Sequence, residues 1–209
     1  MITLYYAPHT CSLASHIAVL EAGLPVTIHY VNTTTKKTDD GGDFRKIAPN
    51  GYVPALKLTN GQVLNEGPSV LQYLADQKPS AKLAPAWGTI ERYQLIDTLN
   101  YLSTEVHKHV FHAIFTPSVP EAAKTEAKAL LDPTLDYMAK RLGSRDYLIG
   151  DTFTVADAYF VTLLNWFRFV GSDFKRWPAI DGYYQRHLAR PSVKQAMAEE
   201  MAERQKRAA

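Results

Sequence analysis

The stretch from Gly51 to Asp76, GYVPALKLTNGQVLNEGPSVLQYLAD, constrains the fold more than any other part of this chain. Val53 to Leu58 is apolar and extended, Thr59-Asn60-Gly61-Gln62 supplies an Asn-Gly turn, and Val63-Leu64 resumes the sheet. Together these define a tight antiparallel hairpin. Asn65-Glu66-Gly67-Pro68-Ser69 then opens a helix, with Pro68 suited to its first turn. Two places in the stretch admit more than a scaffolding role. Pro54, at the entrance to a strand, is either a turn proline or the second residue of a cis bond that leaves the Val53 backbone groups facing outward. Glu66-Gly67-Pro68-Ser69 is either an ordinary helix cap or a seat for a carboxylate or phosphate, because free N–H groups, a hydroxyl and the helix dipole all favour an anion there.

Upstream, Ile2 to Tyr6 reads as a strand and Ala7-Pro8-His9-Thr10 breaks it. Leu13, Ile17 and Leu20 then recur at helical spacing up to Gly23, and Val26 to Val31 forms a second strand. Strand, helix and strand within roughly thirty residues make a βαβ unit, whose two strands are expected to be parallel. A polar stretch from Asn32 to Thr38 and a short helix near Asp43 to Ile47 lead into the hairpin. The order is β-α-β, then β-β-α.

The proline-punctuated segment Pro79 to Gly88 marks a boundary, and beyond it the pattern is helical throughout. One long helix is expected from Thr89 to about Phe115, with Leu95, Leu99, Leu102, Val106 and Val110 along one side. At about 100° per residue, Asn100, Thr104, His107 and Phe111 fall within an arc of about 60° on another side, a mixed polar stripe suited to a cleft. Pro133 should kink or break the helix expected from Glu121 to about Leu142. Thr154-Val155-Ala156-Asp157 fits a capping box, and the helix it opens is apolar nearly all round, as a central core helix is. The charged tail from Glu199 to Ala209 is expected to fray.

Composition excludes several function classes. A formal net charge of +2 on 209 residues argues against nucleic acid or an anionic membrane as partner. No apolar run approaches the roughly 18 residues of a membrane span, and the N-terminus lacks the basic flank and apolar core of a secretion signal. The single cysteine, Cys11, rules out an intramolecular disulfide and any zinc site built on several cysteines, and a reducing cytoplasm suits it. Cys11 follows a strand and a loop at the N-terminal end of the first helix. There it is either a buried inert thiol or a reactive one, whose thiolate the helix dipole favours. The next residues are Ser12-Leu13-Ala14, so no dithiol motif is present and any redox cycle must borrow a second thiol. His107 is a base, a hydrogen-bond donor or a surface histidine. Tyr5 and Tyr6 alternate in the first strand, so they face opposite sides of it. Lys36 and Lys37 lie in a solvated loop or touch an anionic ligand.

Four segments, LYYAPHTCSLASH, NGYVPALKL, NEGPSVLQYLAD and LNYLSTEVHK, occur in an order that resembles a bacterial cytosolic glutathione transferase of the beta class. The likeness runs over essentially the whole chain and includes the TVADAY capping box. It implies an α/β plus all-α architecture: a thioredoxin-like glutathione-binding domain (βαβ-ββα) over residues 1–78, a linker over 79–87, and an all-helical domain forming the electrophile pocket over 88–209. It also implies a cytoplasmic homodimer that uses glutathione as co-substrate without a metal and acts on small hydrophobic electrophiles. Cys11 matches the cysteine beside the glutathione sulfur, able to form a mixed disulfide with it. Val53, before a cis-Pro54, pairs with the cysteinyl backbone, Glu66, Gly67 and Ser69 hold the γ-glutamyl end, and Lys36 lies near the glycyl carboxylate. Asn100, Thr104, Glu105 and His107 come from the helical domain, with Lys108 nearby, and some of these reach across from a partner subunit. His107 approaches the sulfur, and Tyr6 matches a tyrosine that activates the thiol in other classes. Trp166, Phe111 and Phe115 either line an apolar cleft between the domains or pack the core. Two departures stand out: His9-Thr10 replaces a smaller Gly-Ala type pair before the cysteine, and Pro68 stands where an aliphatic residue is common. The implied activity is conjugation of reduced glutathione to electrophiles together with Cys11-linked thiol–disulfide chemistry. The alternatives are an enzyme that is primarily a glutathione-dependent oxidoreductase or peroxidase, and a non-enzymatic ligand-binding member of the fold.

Overall fold

The computed structural model describes residues Met1–Ala208, and the chain divides into two compact units. The first holds Met1–Ala84 together with the C-terminal residues from Arg190, and the second holds Pro85–Ala189.

The first unit is built on a five-stranded sheet of order β3-β2-β1-β4-β5, with β1 at Ile2–Tyr6, β2 at Val26–Asn32, β3 at Lys37–Thr38, β4 at Ala55–Lys57 and β5 at Val63–Leu64. β1 and β2 are parallel, pairing Ile2 with Val26 through Tyr6 with Tyr30, and α1 (Ser12–Ala22) is the crossover between them. Gly23 ends α1 in the left-handed conformation (φ 58°), where its N–H reaches Leu20 O and the Leu24 N–H reaches Val19 O, closing the last turn. β4 runs antiparallel to both β1 and β5, and Gly61 (φ 86°) forms the tip of the β4–β5 hairpin as the Asn-Gly pair predicts. α2 (Gly67–Asp76) follows, with Pro68 in its first turn. This is a thioredoxin-like fold.

The structure adds a strand to that plan. β3 folds back antiparallel on β2 through a turn in which Asn32 Oδ1 accepts from the N–H groups of Thr34 and Thr35. The turn closes at Lys36, which adopts φ 59° and donates its N–H to Asn32 O at 2.8 Å. Two polar residues carry no alternation, so β3 reads from sequence as loop. The short helix near Asp43 is a 3-10 turn over Phe44–Lys46, capped by the Asp43 side chain accepting from Arg45 N–H.

A larger correction concerns the C-terminus. The tail expected to fray is the second half of α9 (Pro191–Ala208), an ordered helix packed on α1 within the first unit rather than within the helical domain of residues 88–209. Polar residues on α1 hold it. Glu21 receives Arg190 and Ser192, and buried His16 lies between Glu199 (2.8 Å) and Glu200 (3.4 Å). α1 is accordingly buried on the faces turned to α2, α9 and the sheet, with His16 and Glu200 each only 1% exposed. A histidine on a buried helix and a glutamate in a charged tail leave no hydropathy pattern that pairs them.

The second unit is helical: α3 (Ile90–Tyr101), a continuous π-helical stretch (Leu102–His112), α4 (Ala113–Phe115), α5 (Glu121–Ala129), α6 (Leu131–Leu142), α7 (Val155–Phe169) and α8 (Pro178–Leu188). The backbone from 90 to 115 is the single long helix expected, but its middle is wound with i→i+5 bonds. Leu95, Leu99, Leu102, Val106 and Val110 are all buried as their spacing predicts. The polar stripe does not survive the wider turns, since each residue there advances less than 100° about the axis. Asn100 and Thr104 are exposed, while Phe111 is fully buried. The helix expected over 121–142 breaks at Leu130, because Pro133 offers no N–H to the carbonyl of Ala129 and its ring crowds that carbonyl. α7 is the core helix foreseen, buried continuously from Val155 to Leu164.

Candidate active site

The loop between β1 and α1 is tied to itself by side chains. Thr10 Oγ1 donates to Ala7 O at 2.9 Å and lies 2.8 Å from Ser12 Oγ, which in turn accepts from Ala7 N–H at 3.1 Å. Cys11 therefore occupies the N-cap of α1 (φ −60°, ψ −18°), half-buried, where the partial positive charge of the helix end favours a thiolate. Its Sγ donates to the carbonyl of Val53 at 3.2 Å, across 42 residues of chain. The Val53-Pro54 bond is cis, and Val53 and Pro54 are both buried. Sequence marks Thr10 only as a departure from a smaller residue, and neither its hydroxyl nor that of Ser12 carries a signal of the loop contacts both make.

Beyond β5, Glu66 caps α2 in an extended conformation and is exposed. The first intrahelical bond runs from Val70 N–H to Glu66 O at 2.9 Å, so the N–H groups of Gly67 and Ser69 point out of the helix end. Pro68 between them has no N–H to offer, so the helix start presents two outward donors rather than three. Lys36 is half-buried rather than solvated. Its Nζ donates to Gly51 O at 2.8 Å and lies 5.7 Å from the centre of the Tyr52 ring. Burial, with Arg45 nearby, lowers its pKa below the usual lysine value. Glycine is favoured at Gly51 (φ 64°), since a Cβ would fall 3.1 Å from Lys36 Cδ on a backbone that side chains rarely adopt.

The two tyrosines of β1 diverge as the pleat requires. Tyr5 packs on Phe44 (5.5 Å between rings) and belongs to the core cluster of Val31, Val53 and Ala55. Tyr6 turns to the other face, edge-on to His16 at 5.7 Å. Burial, followed by Glu203, Glu200 and Glu199 of α9, raises its pKa, so Tyr6 is a neutral phenol at physiological pH. Any part it takes is as a hydrogen-bonding group.

In the helical unit, His107 leaves the solvent face of its helix. Nδ1 lies 2.8 Å from Tyr159 Oη on α7, and the ring stands edge-on to Trp166 at 4.9 Å. Burial, helped by Lys108 and His112, pushes its pKa down to about 4, so it is a neutral imidazole at pH 7. Phe111 and Phe115 stack at 5.5 Å, and both meet Trp166 edge-on, at 5.4 and 5.5 Å. Asn100, Thr104, Glu105 and Lys108 are all exposed, and of these Lys108 acts electrostatically on the imidazole. Thr104 Oγ1 bonds Asn100 O and Glu105 Oε1, and Glu105 lies 3.6 Å from His109. Tyr159, the partner of His107, was missed, although a tyrosine on an otherwise apolar helix signals a buried polar contact. Among the described residues no group of three or more His, Cys, Asp or Glu side chains is placed to hold a metal ion, and no helix is long and apolar enough to cross a membrane.

The chain thus joins a thioredoxin-like unit, with one thiol at a helix start opposite the carbonyl before a cis-proline, to a helical unit. Comparison with known proteins says which family combines the two. Residues 10–77 match the family described as glutathione S-transferase, N-terminal domain, and residues 121–186 match glutathione S-transferase, C-terminal domain. The chain is 39% identical to glutathione S-transferase GstA of Escherichia coli O157:H7 over 197 residues, covering 94% of this chain and 98% of that protein. The solved structure of a beta-class glutathione S-transferase of Sphingomonas chungbukensis superposes with a TM-score of 0.91 at 41% identity, covering 95% of this chain and 98% of that one. A sphingomonad glutathione S-transferase solved in complex with glutathione superposes equally well, with a TM-score of 0.91, 39% identity and the same coverage. The chain belongs to the glutathione S-transferase family, and its likeness within that family of enzymes is to the bacterial beta class.

Proposed function

We propose that this protein binds reduced glutathione beside Cys11, joins the tripeptide through its sulfur to hydrophobic electrophiles, and uses Cys11 for thiol–disulfide exchange with the same tripeptide. The observation that carries this is the Cys11 Sγ contact to Val53 O at 3.2 Å, which puts the one thiol of the chain against an edge of backbone able to pair with a peptide ligand. In this assignment the backbone of Val53 pairs with the cysteinyl residue of glutathione. The N–H groups of Gly67 and Ser69 take the γ-glutamyl carboxylate, Glu66 takes its ammonium, and Lys36 lies toward the glycyl carboxylate.

The exchange step balances without a further reagent. The Cys11 thiolate attacks one sulfur of glutathione disulfide, the Cys11–glutathione bond forms, and glutathione thiolate leaves with the electron pair of the broken S–S bond. With a small mixed disulfide of glutathione as substrate the other thiol leaves instead, and a reduced glutathione thiolate that attacks the glutathione sulfur of the Cys11 adduct releases glutathione disulfide and restores the Cys11 thiolate. In conjugation, the glutathione thiolate forms a C–S bond to an electrophilic carbon and the leaving group departs with its electron pair, while the thiol proton passes to solvent. The N-terminal end of α1 stabilises the sulfur anion. His107, neutral and anchored by Tyr159, is a hydrogen-bonding group rather than a charged one; Phe111 and Trp166 are buried and pack the core of the helical unit, and only Phe115 of this aromatic cluster is exposed. Trp87, Ile90 and Tyr93, each more than half exposed at the start of α3, suit burial in a homodimer. The cytoplasm is the compartment assigned, given one free thiol and no partner cysteine.

Cys11→Ala separates the two chemistries. Steady-state assays should show disulfide exchange abolished and conjugation to an activated aryl halide retained within about tenfold, since the helix end that stabilises the glutathione thiolate remains. Loss of both activities in a folded variant would contradict the assignment.

A further inference from the structure

His9 is one of three non-glycine residues with positive φ among the described residues (φ 60°), a conformation that is unfavourable for a residue with a Cβ. The residues around it are bound within their own loop through Ala7, Thr10 and Ser12. His9 is bound elsewhere. Its backbone N–H donates at 2.8 Å to Oε2 of Glu200, 191 residues away on α9. Glu200 is only 1% exposed, and its other oxygen lies 3.4 Å from Nδ1 of His16 on α1. A buried carboxylate held from one side by a helix therefore grips, from the other, the backbone two residues before the cysteine.

We propose that Glu200 is a positioning residue for Cys11: it holds His9 in the left-handed conformation that the loop needs to deliver Cys11 to the start of α1. The inference rests on Cys11 being the functional thiol. The chemistry follows from the two sides of the bond. With the carboxylate present, a charge-assisted hydrogen bond offsets the conformational cost at His9. Without it, that cost stands unopposed beside a desolvated N–H, and the loop relaxes to negative φ at residue 9. That rotation swings Thr10 and Cys11 away from the helix end and the Val53 carbonyl. A glycine at position 9 adopts positive φ freely, so a chain with glycine there has no need of the grip. The C-terminal helix is thus part of the thiol site in this chain, because His9 stands where a small residue would be self-sufficient.

The test is a double-mutant cycle read on the rate of Cys11 alkylation by iodoacetamide in the full-length protein, with circular dichroism confirming the fold. Glu200→Ala should slow alkylation about tenfold, the size expected for one lost charged hydrogen bond. Glu200→Gln, which keeps an acceptor oxygen, should stay within about threefold of the wild type. His9→Gly combined with Glu200→Ala should return to within about twofold of His9→Gly alone. Glu199→Ala removes the other carboxylate on His16 without touching His9. It should lower the melting temperature while leaving the alkylation rate unchanged, which separates positioning from general loosening of α9. An unchanged rate in Glu200→Ala, or a loss of equal size in the His9→Gly background, overturns the proposal. Alkylation reads the thiol without glutathione, so this outcome is independent of whether the wild type forms a glutathione adduct, which tests the functional role of Cys11 itself.

Discussion

His107 shows how a single residue ties burial to pH. Its pKa is pushed from 6.5 down to about 4 by burial, with Lys108 and His112 adding to the effect. In the unfolded chain the imidazole takes up a proton near its ordinary value, so between about pH 6.5 and 4 the unfolded state binds a proton that the folded state refuses. Stability is therefore complete above pH 6.5 and declines as the pH falls toward 4. From this residue alone the loss between pH 7 and 5 comes to about 2 kcal/mol. Urea unfolding at the two pH values should show that His107→Asn loses about 2 kcal/mol less than the wild type over this interval. An equal loss would mean that the imidazole is already protonated in the folded state. Sequence offered no way to see this, because seven histidines look alike until one of them is found against Tyr159 and Trp166.

At the scale of elements, the capping box of α7 does more than end a helix. Asp157 is fully buried. Its Oδ2 accepts from Thr154 N–H and Oγ1, while its Oδ1 accepts from Leu148 N–H and from Tyr183 Oη on α8. One carboxylate thus joins the segment before α7, the start of α7 and α8. Burial raises its pKa above the usual aspartate value, and the four donors pull in the opposite direction. Asp157→Ala should cost about 3 kcal/mol or more, beyond a typical cap, because it leaves several buried donors unpaired. A loss below 1 kcal/mol by chemical denaturation would show that the donors find other partners. The box was legible as Thr-x-x-Asp, as were the β4–β5 hairpin from its Asn-Gly pair and the end of α1 from Gly23. Each depends on the conformational demands of a few adjacent residues. The π-helical stretch over Leu102–His112 was not legible, since hydropathy at 100° per residue presumes the α-helical turn it sets out to detect. β3 was too short and polar to announce itself.

At the scale of the whole molecule, the chain leaves its first unit at Ala84 and returns to it at Arg190. That return was invisible in the sequence because it is made by side chains far apart in the chain, Glu21 with Arg190 and Ser192, His16 with Glu199 and Glu200, and His9 with Glu200. The thiol end of the site was largely legible, because Cys11, Val53, Pro54 and the Glu66–Ser69 turn announce themselves through backbone chemistry that local sequence dictates. The polar set on the long helix was less so. Of Asn100, Thr104, Glu105, His107 and Lys108, only His107 turns inward to Tyr159 and Trp166. In the proposed function Cys11 lies against the sulfur of bound glutathione. The most direct measurement is the intact mass of the wild type and of Cys11→Ala after incubation with glutathione disulfide. A single glutathione adduct on the wild type, reversed by reduced glutathione and absent from Cys11→Ala, is the expected result. A wild type that binds glutathione yet gains no adduct would contradict the placement of Cys11 at the tripeptide sulfur.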